Sequence, residues 1–427
     1  MTRFLEDGWL LSENAKAFPV SNRESAFAAV IVVAGDSDLA DQVAGDLEEM
    51  RGGVSPDVSV LLLVDLPGDG GMSVAEVTPE GPRPLELWAE GSTGDPLVLA
   101  EFLARALVSF SSSTRLAVGW WGHGLGVFGD GDAREILLPE AFLRKALPAR
   151  SRRSRSRRSR DDDFSSAGML PDLSDVGGVL TNREARSALG AAFIRAGRSD
   201  PIDMVFSDTC LNGSIEVFTE LREFARTVVA SSLPIPAGGW NYKVWLAATG
   251  RERPDDAEGW ARLAGKSFEF AHPQLGEDFP RAQLAAFSTE RGDLVRAFAK
   301  VVRELRELRK TRRLLVGFAA NRVQSIQYRE NLDFEQLVLQ LLELAEEGSD
   351  LRTACRHCLD VFRETQVALS APPEGGEALS GLTIWCPLQG DVERVSEYYP
   401  RLEFEKKTKW LRLLRELEED LGAACKA

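Results

Sequence analysis

No run of apolar residues in this 427-residue chain reaches the eighteen or so needed to cross a bilayer, so no membrane partner is expected. Its five cysteines are scattered, which argues against a disulfide framework and for a reducing compartment. The N-terminus, Met1 to Asp7, lacks the basic-then-apolar order of a secretory signal, and the expected location is cytoplasmic. Positive charge is in deficit: 51 Lys and Arg against 66 Asp and Glu, a formal net charge of −15, which argues against general nucleic-acid binding. No G-x-S-x-G elbow supports a serine nucleophile. Cys355-Arg356-His357-Cys358 has no second ligand pair for structural zinc, and His272 has no evident partner, so no metal is expected. Gly124, Gly126 and Gly129 fit G-x-G-x-x-G. However, Asp130-Gly131-Asp132 follows at once, and the position for a ribose-binding acid falls near an arginine tract.

What is present is a soluble globular composition, 44% hydrophobic and 27% charged. Ala26 to Ala34 and Val58 to Leu66 are nearly unbroken apolar runs, as inner parallel strands require. Gly35-Asp36-Ser37-Asp38 reads as a turn and N-cap for a helix through Leu39, Val43 and Leu47. Alternation around Ser73 to Thr78 suggests a hairpin at a sheet edge, and Asp95-Pro96 opens a helix. Further strands are expected before His123, before Cys210, and at Thr227 to Ser231, with a helix between Leu180 and Ala196. Strands alternating with helices give an α/β fold with a mostly parallel central sheet flanked by helices.

From Asp255 to Leu369 the pattern turns helical; Leu294, Phe298, Val301, Leu305 and Leu308 share one face. If the late strand Leu382 to Cys386 joins the sheet, this helical stretch is an insertion. An amphipathic helix with Trp410, Leu413, Leu414, Leu417 and Leu421 closes the chain.

Two stretches carry chemistry. In Leu116 to Gly126 a strand runs into a glycine-rich turn holding His123; in Ile202 to Glu216 a strand runs into a turn holding Cys210. Cys210 precedes a helical pattern, whose positive end would favour a thiolate. A cysteine and a histidine at the carboxyl ends of two strands of one sheet make a candidate nucleophile and base. An inert core thiol and an ordinary turn histidine fit the same residues, and residue type alone does not choose.

One segment fits no element. Arg150, Arg152, Arg153, Arg155, Arg157, Arg158 and Arg160 alternate with serines and run into Asp161 to Asp163, a charge run that cannot pack and reads as a surface loop between the two motifs.

Trp120-Trp121-Gly122-His123-Gly124-Leu125-Gly126 and Asp208-Thr209-Cys210-Leu211-Asn212-Gly213-Ser214-Ile215-Glu216 resemble the two catalytic motifs of clostripain-type (C11) cysteine peptidases of the caspase-like clan. Gly35-Asp36-Ser37-Asp38-Leu39, Thr93-Gly94-Asp95-Pro96, Ala230-Ser231-Ser232, Gly239-Trp240-Asn241-Tyr242 and Gly381 to Pro387 extend the resemblance in order from about residue 26 to 388. The resemblance implies a caspase-like three-layer fold, with Cys210 as nucleophile, His123 as general base and acid, and no obligatory third member. It implies oxyanion donors in the N–H groups of Gly124 and Cys210, each worth about 3 kcal/mol. It matches Asp208 to the acidic residue that lines the S1 pocket and pairs with arginine or lysine, although capping a helix at the same turn is an alternative role.

The chain departs from the family at Ser231, Ser232, Leu233 and Asn241, where acids are frequent. Calcium is suggested by the resemblance alone, and no cofactor is required. Relatives are cut between the two motifs, so the arginine tract is expected to be the activation site of a zymogen, cleaved by the protein itself or by an upstream protease. Expected substrates are proteins with exposed Arg or Lys sites, in prokaryotic defence or regulated death by analogy. The rival reading is a silent caspase-like scaffold whose basic loop docks an acidic partner or nucleic acid. The expected organisation is an extension over 1–25, a peptidase domain over 26–390 containing an activation loop at 148–178 and a helical insertion at 255–370, and a helical segment over 391–427.

Overall fold

A computed structural model describes residues 15–68, 70–89, 91–124, 126–127, 168–171, 179–271, 282–308, 311–323, 330–371, 379–387, 392 and 398–424. The arginine tract, His272, Leu125 and residues 128–132 lie outside them.

The apolar runs become β1 (Phe27–Ala34) and β2 (Val58–Asp65), buried along their whole length as strands covered on both faces must be. Between them runs α1 (Ala40–Gly53). The hairpin β3 (Ser73–Thr78) and β4 (Gly81–Leu87) follows, then α2 (Pro96–Ser109), capped by Asp95, whose carboxylate accepts from the Leu97 N–H. The chain continues through β5 (Arg115–Trp121), β6 (Gly168–Pro171), β7 (Val179–Thr181), α3 (Asn182–Arg195), β8 (Ile202–Asp208), α4 (Ile215–Leu221) and β9 (Ala225–Ala230). Next come α5 (Tyr242–Glu252), α6 (Ala257–Ala271), β10 (Ala285–Ser288), α7 (Leu294–Glu307), α8 (Arg312–Arg322), β11 (Asn331–Asp333), α9 (Phe334–Leu344), α10 (Asp350–Thr365) and β12 (Gln366–Leu369). The chain closes with β13 (Thr383–Trp385), α11 (Glu403–Thr408) and α12 (Trp410–Ala424).

Among the described residues the main sheet has nine strands in the order β12-β10-β9-β8-β5-β1-β2-β3-β4. The inner pairs β9-β8, β8-β5, β5-β1 and β1-β2 are parallel, and the outer pairs are antiparallel. This is the mixed α/β, three-layer fold expected. One face is covered by α2, α3, α7, α9 and α10, with Trp120, Phe102, Leu189 and Phe298 among the buried residues. The other is covered by α1, α5 and α6, with Trp121, Phe206, Trp245 and Trp260.

Several expectations need correction. The late strand does not join the main sheet: β13 pairs antiparallel with β11 and touches the rest through an isolated bridge, Ser214 to Thr383. The helical stretch is instead tied in by β10 and β12, which extend the sheet from β9. Leu308 caps α7 and is 37% exposed, so it leaves the face shared by Leu294, Phe298, Val301 and Leu305. The turn before α1 supplies no side-chain cap. The Ser37 hydroxyl accepts from the Leu39 N–H, which leaves Asp38 for another partner.

Candidate active site

The register of β5 against β8 places the two motifs together. Trp121 pairs with Asp208 across parallel strands, and His123 and Cys210 each follow two residues later, at the same end of the sheet. Beyond Trp121 the loop stays against its neighbour: the Gly122 N–H donates to the Asp208 carbonyl at 3.3 Å. Gly124 lies so close to the cysteine turn that a Cβ there would sit 2.1 Å from the Cys210 carbonyl oxygen. Only glycine allows that approach. Asn212 staples the loops, accepting from the Gly126 N–H at 3.2 Å while donating to Ser207 Oγ at 2.9 Å and Thr209 Oγ1 at 2.6 Å. Among the described residues nothing engages the N–H of Gly124 or of Cys210.

The turn carrying Cys210 is bent hard. Leu211 takes φ +62°, a left-handed conformation uncommon for a bulky side chain and held here by burial and by its N–H donating to the Leu233 carbonyl. The helix that follows begins only at Ile215, with Ser214 as its cap, so Cys210 is not at a helix terminus as the sequence suggested. Its thiol is instead bracketed by the backbone of one residue. The Ile235 N–H donates to Sγ at 3.4 Å, and Sγ–H faces the Ile235 carbonyl at 3.8 Å. Burial pushes the thiol up to about 11, the opposite of the expected thiolate.

Asp208 is 3% exposed and caps no helix, which removes the alternative role. Its Oδ2 accepts from the Tyr242 hydroxyl at 2.7 Å and the Trp240 N–H at 3.2 Å. Its Oδ1 has no hydrogen-bond partner among the described residues. Gly239, at φ +49°, passes over this carboxylate; a Cβ there would lie 2.6 and 2.7 Å from its two oxygens. Burial raises Asp208 to about 7. A second carboxyl, Asp46 of α1, accepts from the Trp121 indole N–H at 2.6 Å and is raised to about 8, first by burial and then by the charge of Asp208. Two buried carboxyls close enough to raise one another make a concentration of acceptors beside the cysteine turn.

His123 is not alone. Its Nε2 lies 2.6 Å from Oδ1 of Asp38, in the loop after β1. Asp38, Asp46, Tyr242 and Asn212 were not singled out by sequence reasoning, but one topological signal points to the first. The chain runs from β1 outward to β2 on one side, while β5 lies on the other, so the sheet changes direction between β1 and β5. Loops at such a point line a binding crevice, and these loops carry Asp38 and His123. Asn241 caps α5 by accepting from the Val244 N–H. Ser231, Ser232 and Leu233 are buried beside the cysteine turn, with the Ser231 carbonyl accepting from Gly213.

The remaining candidates do not meet the site. Cys355 and Cys358 are buried in the core on α10, with their thiols pushed up by burial, while His357 between them faces solvent. No cluster of metal-ligating side chains occurs among the described residues. No helix among them is long and apolar enough to cross a membrane.

The clostripain family model matches residues 160–325, a span that includes Cys210. No curated protein matches the sequence. Among solved structures, the chain is similar to a secreted C11 cysteine protease from Bacteroides thetaiotaomicron in complex with an irreversible peptide inhibitor. The identity is 13% and the TM-score 0.64, over 90% of this chain and 99% of that one. It is also similar to an inactive zymogen C11 protease from Parabacteroides distasonis, with 15% identity and a TM-score of 0.63 over 91% and 99% of the chains.

Proposed function

We propose that this chain is a cysteine peptidase of the clostripain family, an endopeptidase that cuts after arginine and, less well, lysine. In this reading His123 takes the proton of the Cys210 thiol, and the sulfur attacks the scissile carbonyl. The resulting oxyanion is held by the N–H groups of Gly124 and Cys210. His123 then protonates the leaving amine, and water hydrolyses the acyl-enzyme. The observation that carries the reading is the pairing of Trp121 with Asp208, because it sets His123 and Cys210 at the ends of adjacent strands. The preference for arginine is supported by the buried Oδ1 of Asp208, an acceptor with no partner among the described residues, which a guanidinium would satisfy.

The bracketed, protonated thiol fits a latent form, and cleavage after an arginine of the 150–160 tract is the proposed activation. No metal or other cofactor is invoked. Free thiols at Cys210, Cys355, Cys358 and Cys386 suit the cytoplasm, and a defence or death pathway remains the proposed setting.

The test is turnover of fluorogenic peptides ending in arginine, lysine, aspartate or leucine by wild type and Cys210→Ala. Arginine should lead, lysine should follow, and the alanine variant should be silent. Equal turnover by both proteins would end the proposal, and a wild type inert before and after limited proteolysis would favour the scaffold reading.

A further inference from the structure

We propose that Asp38 is a positioning residue for His123, turning the expected pair of catalytic side chains into a three-membered relay whose acid comes from a separate loop. The inference rests on the peptidase reading and deepens it. The geometry is direct: Nε2 of His123 lies 2.6 Å from Oδ1 of Asp38, with the two side chains 16% and 30% exposed. The bond to His123 is the main cause holding the Asp38 carboxyl below its ordinary range. An ionised carboxylate can only accept, so Nε2 must carry the shared proton. The neutral imidazole is then the Nε2–H tautomer, and Nδ1 keeps the lone pair that receives the thiol proton.

Asp38 has no structural duty that would explain it otherwise. The N-cap of α1 is Leu39, and the turn is closed by Ser37, whose hydroxyl takes the Leu39 N–H and whose carbonyl takes the Ala40 N–H. The loop itself ends β1, the strand next to β5, so the main-chain pairing of Phe27 to Val33 with Arg115 to Trp121 fixes the height at which the two side chains meet. Asp38 touches neither Cys210 nor Asp208 by any described bond, so its effect on the reaction runs through the imidazole. An oriented base of defined tautomer accepts the thiol proton without first rotating or exchanging its own.

The test compares Asp38→Asn and Asp38→Ala in the full chain, using a peptide ending in arginine and ¹⁵N-histidine spectra. The chain's three histidines make the spectra simple to assign through His123→Ala. KM should stay within about twofold in both variants. The asparagine oxygen still accepts from Nε2, so kcat should fall about tenfold in Asp38→Asn and about a hundredfold in Asp38→Ala. The His123 signal should report the Nε2–H tautomer in wild type and Asp38→Asn and a tautomer mixture in Asp38→Ala. Unchanged kcat in both variants, or an unchanged His123 spectrum in Asp38→Ala, overturns the positioning role. If the wild type cleaves no basic peptide, the spectrum still decides. Loss of the single tautomer in Asp38→Ala upholds the relay, and the failure then belongs to the peptidase reading.

Discussion

Asp208 shows how a residue's surroundings set what it can recognise. Burial raises its carboxyl from 3.8 to about 7, which brings its titration close to neutrality. Only the carboxylate pairs with a guanidinium, so in the proposed S1 role a bound arginine would displace a proton at pH 6. KM for an arginine peptide should rise as pH falls through 7. Asp208→Asn should lose about a hundredfold or more in kcat/KM and show no such rise. Superimposable KM–pH curves for the two proteins would remove Asp208 from the pocket. Cys210 and His123 stood out in the sequence as a candidate nucleophile and base because each sits in a small-residue turn after an apolar strand. Asp38 and Asp46 did not, because their contacts come from neighbouring elements and leave no local pattern. Asp38 even imitated the N-cap of α1, a helix that has no side-chain cap.

The elements behind the site are held by a second buried acid. Glu216, in α4, is fully buried and accepts from the Trp385 N–H of β13 at 3.0 Å and the Tyr399 hydroxyl at 2.9 Å. It thereby joins the helix after the cysteine turn to the C-terminal segments. Burial raises it from 4.5 to about 7, so the fold favours the protonated form. Its contribution to stability is full below pH 4.5 and is lost as pH rises through 7. Between pH 4 and 8 wild type should lose on the order of 3 kcal/mol relative to Glu216→Gln in denaturant titrations. Asp46, Asp208 and Glu220 are also raised but are common to both proteins, so the difference isolates Glu216. A constant gap across this range would contradict the assignment. The long apolar strands were readable from composition. The outer strands β10 and β12 were not, because four residues inside a helical region give too short a pattern to separate strand from helix.

At the scale of the whole molecule, a nine-stranded sheet brings together loops from residues 38, 123, 210 and 235. The segment that would separate into two chains, residues 148–178, lies largely outside the described residues. Expression of wild type and Cys210→Ala, followed by mass mapping of chain ends, should find wild type cut after one of Arg150 to Arg160 and the variant whole. A fully active, uncut wild type would dismiss activation by cleavage, and a cut alanine variant in a clean preparation would transfer the cutting to another protease. The succession of inner strands along the chain was thus readable from local pattern, and the pairing of the two motifs was expected from the family resemblance. The way β11 and β13 pair away from the main sheet was not readable, since it depends on packing between segments far apart in sequence.

The clasp on the sulfur comes from a single backbone unit, Ile235, in the span between Pro234 and Pro236. Ile235 lies in the loop between β9 and α5, outside every strand of the sheet. An electrophilic drug aimed at Cys210 would on this account discriminate between dormant and awakened molecules of one and the same polypeptide, labelling only those whose clasp had opened.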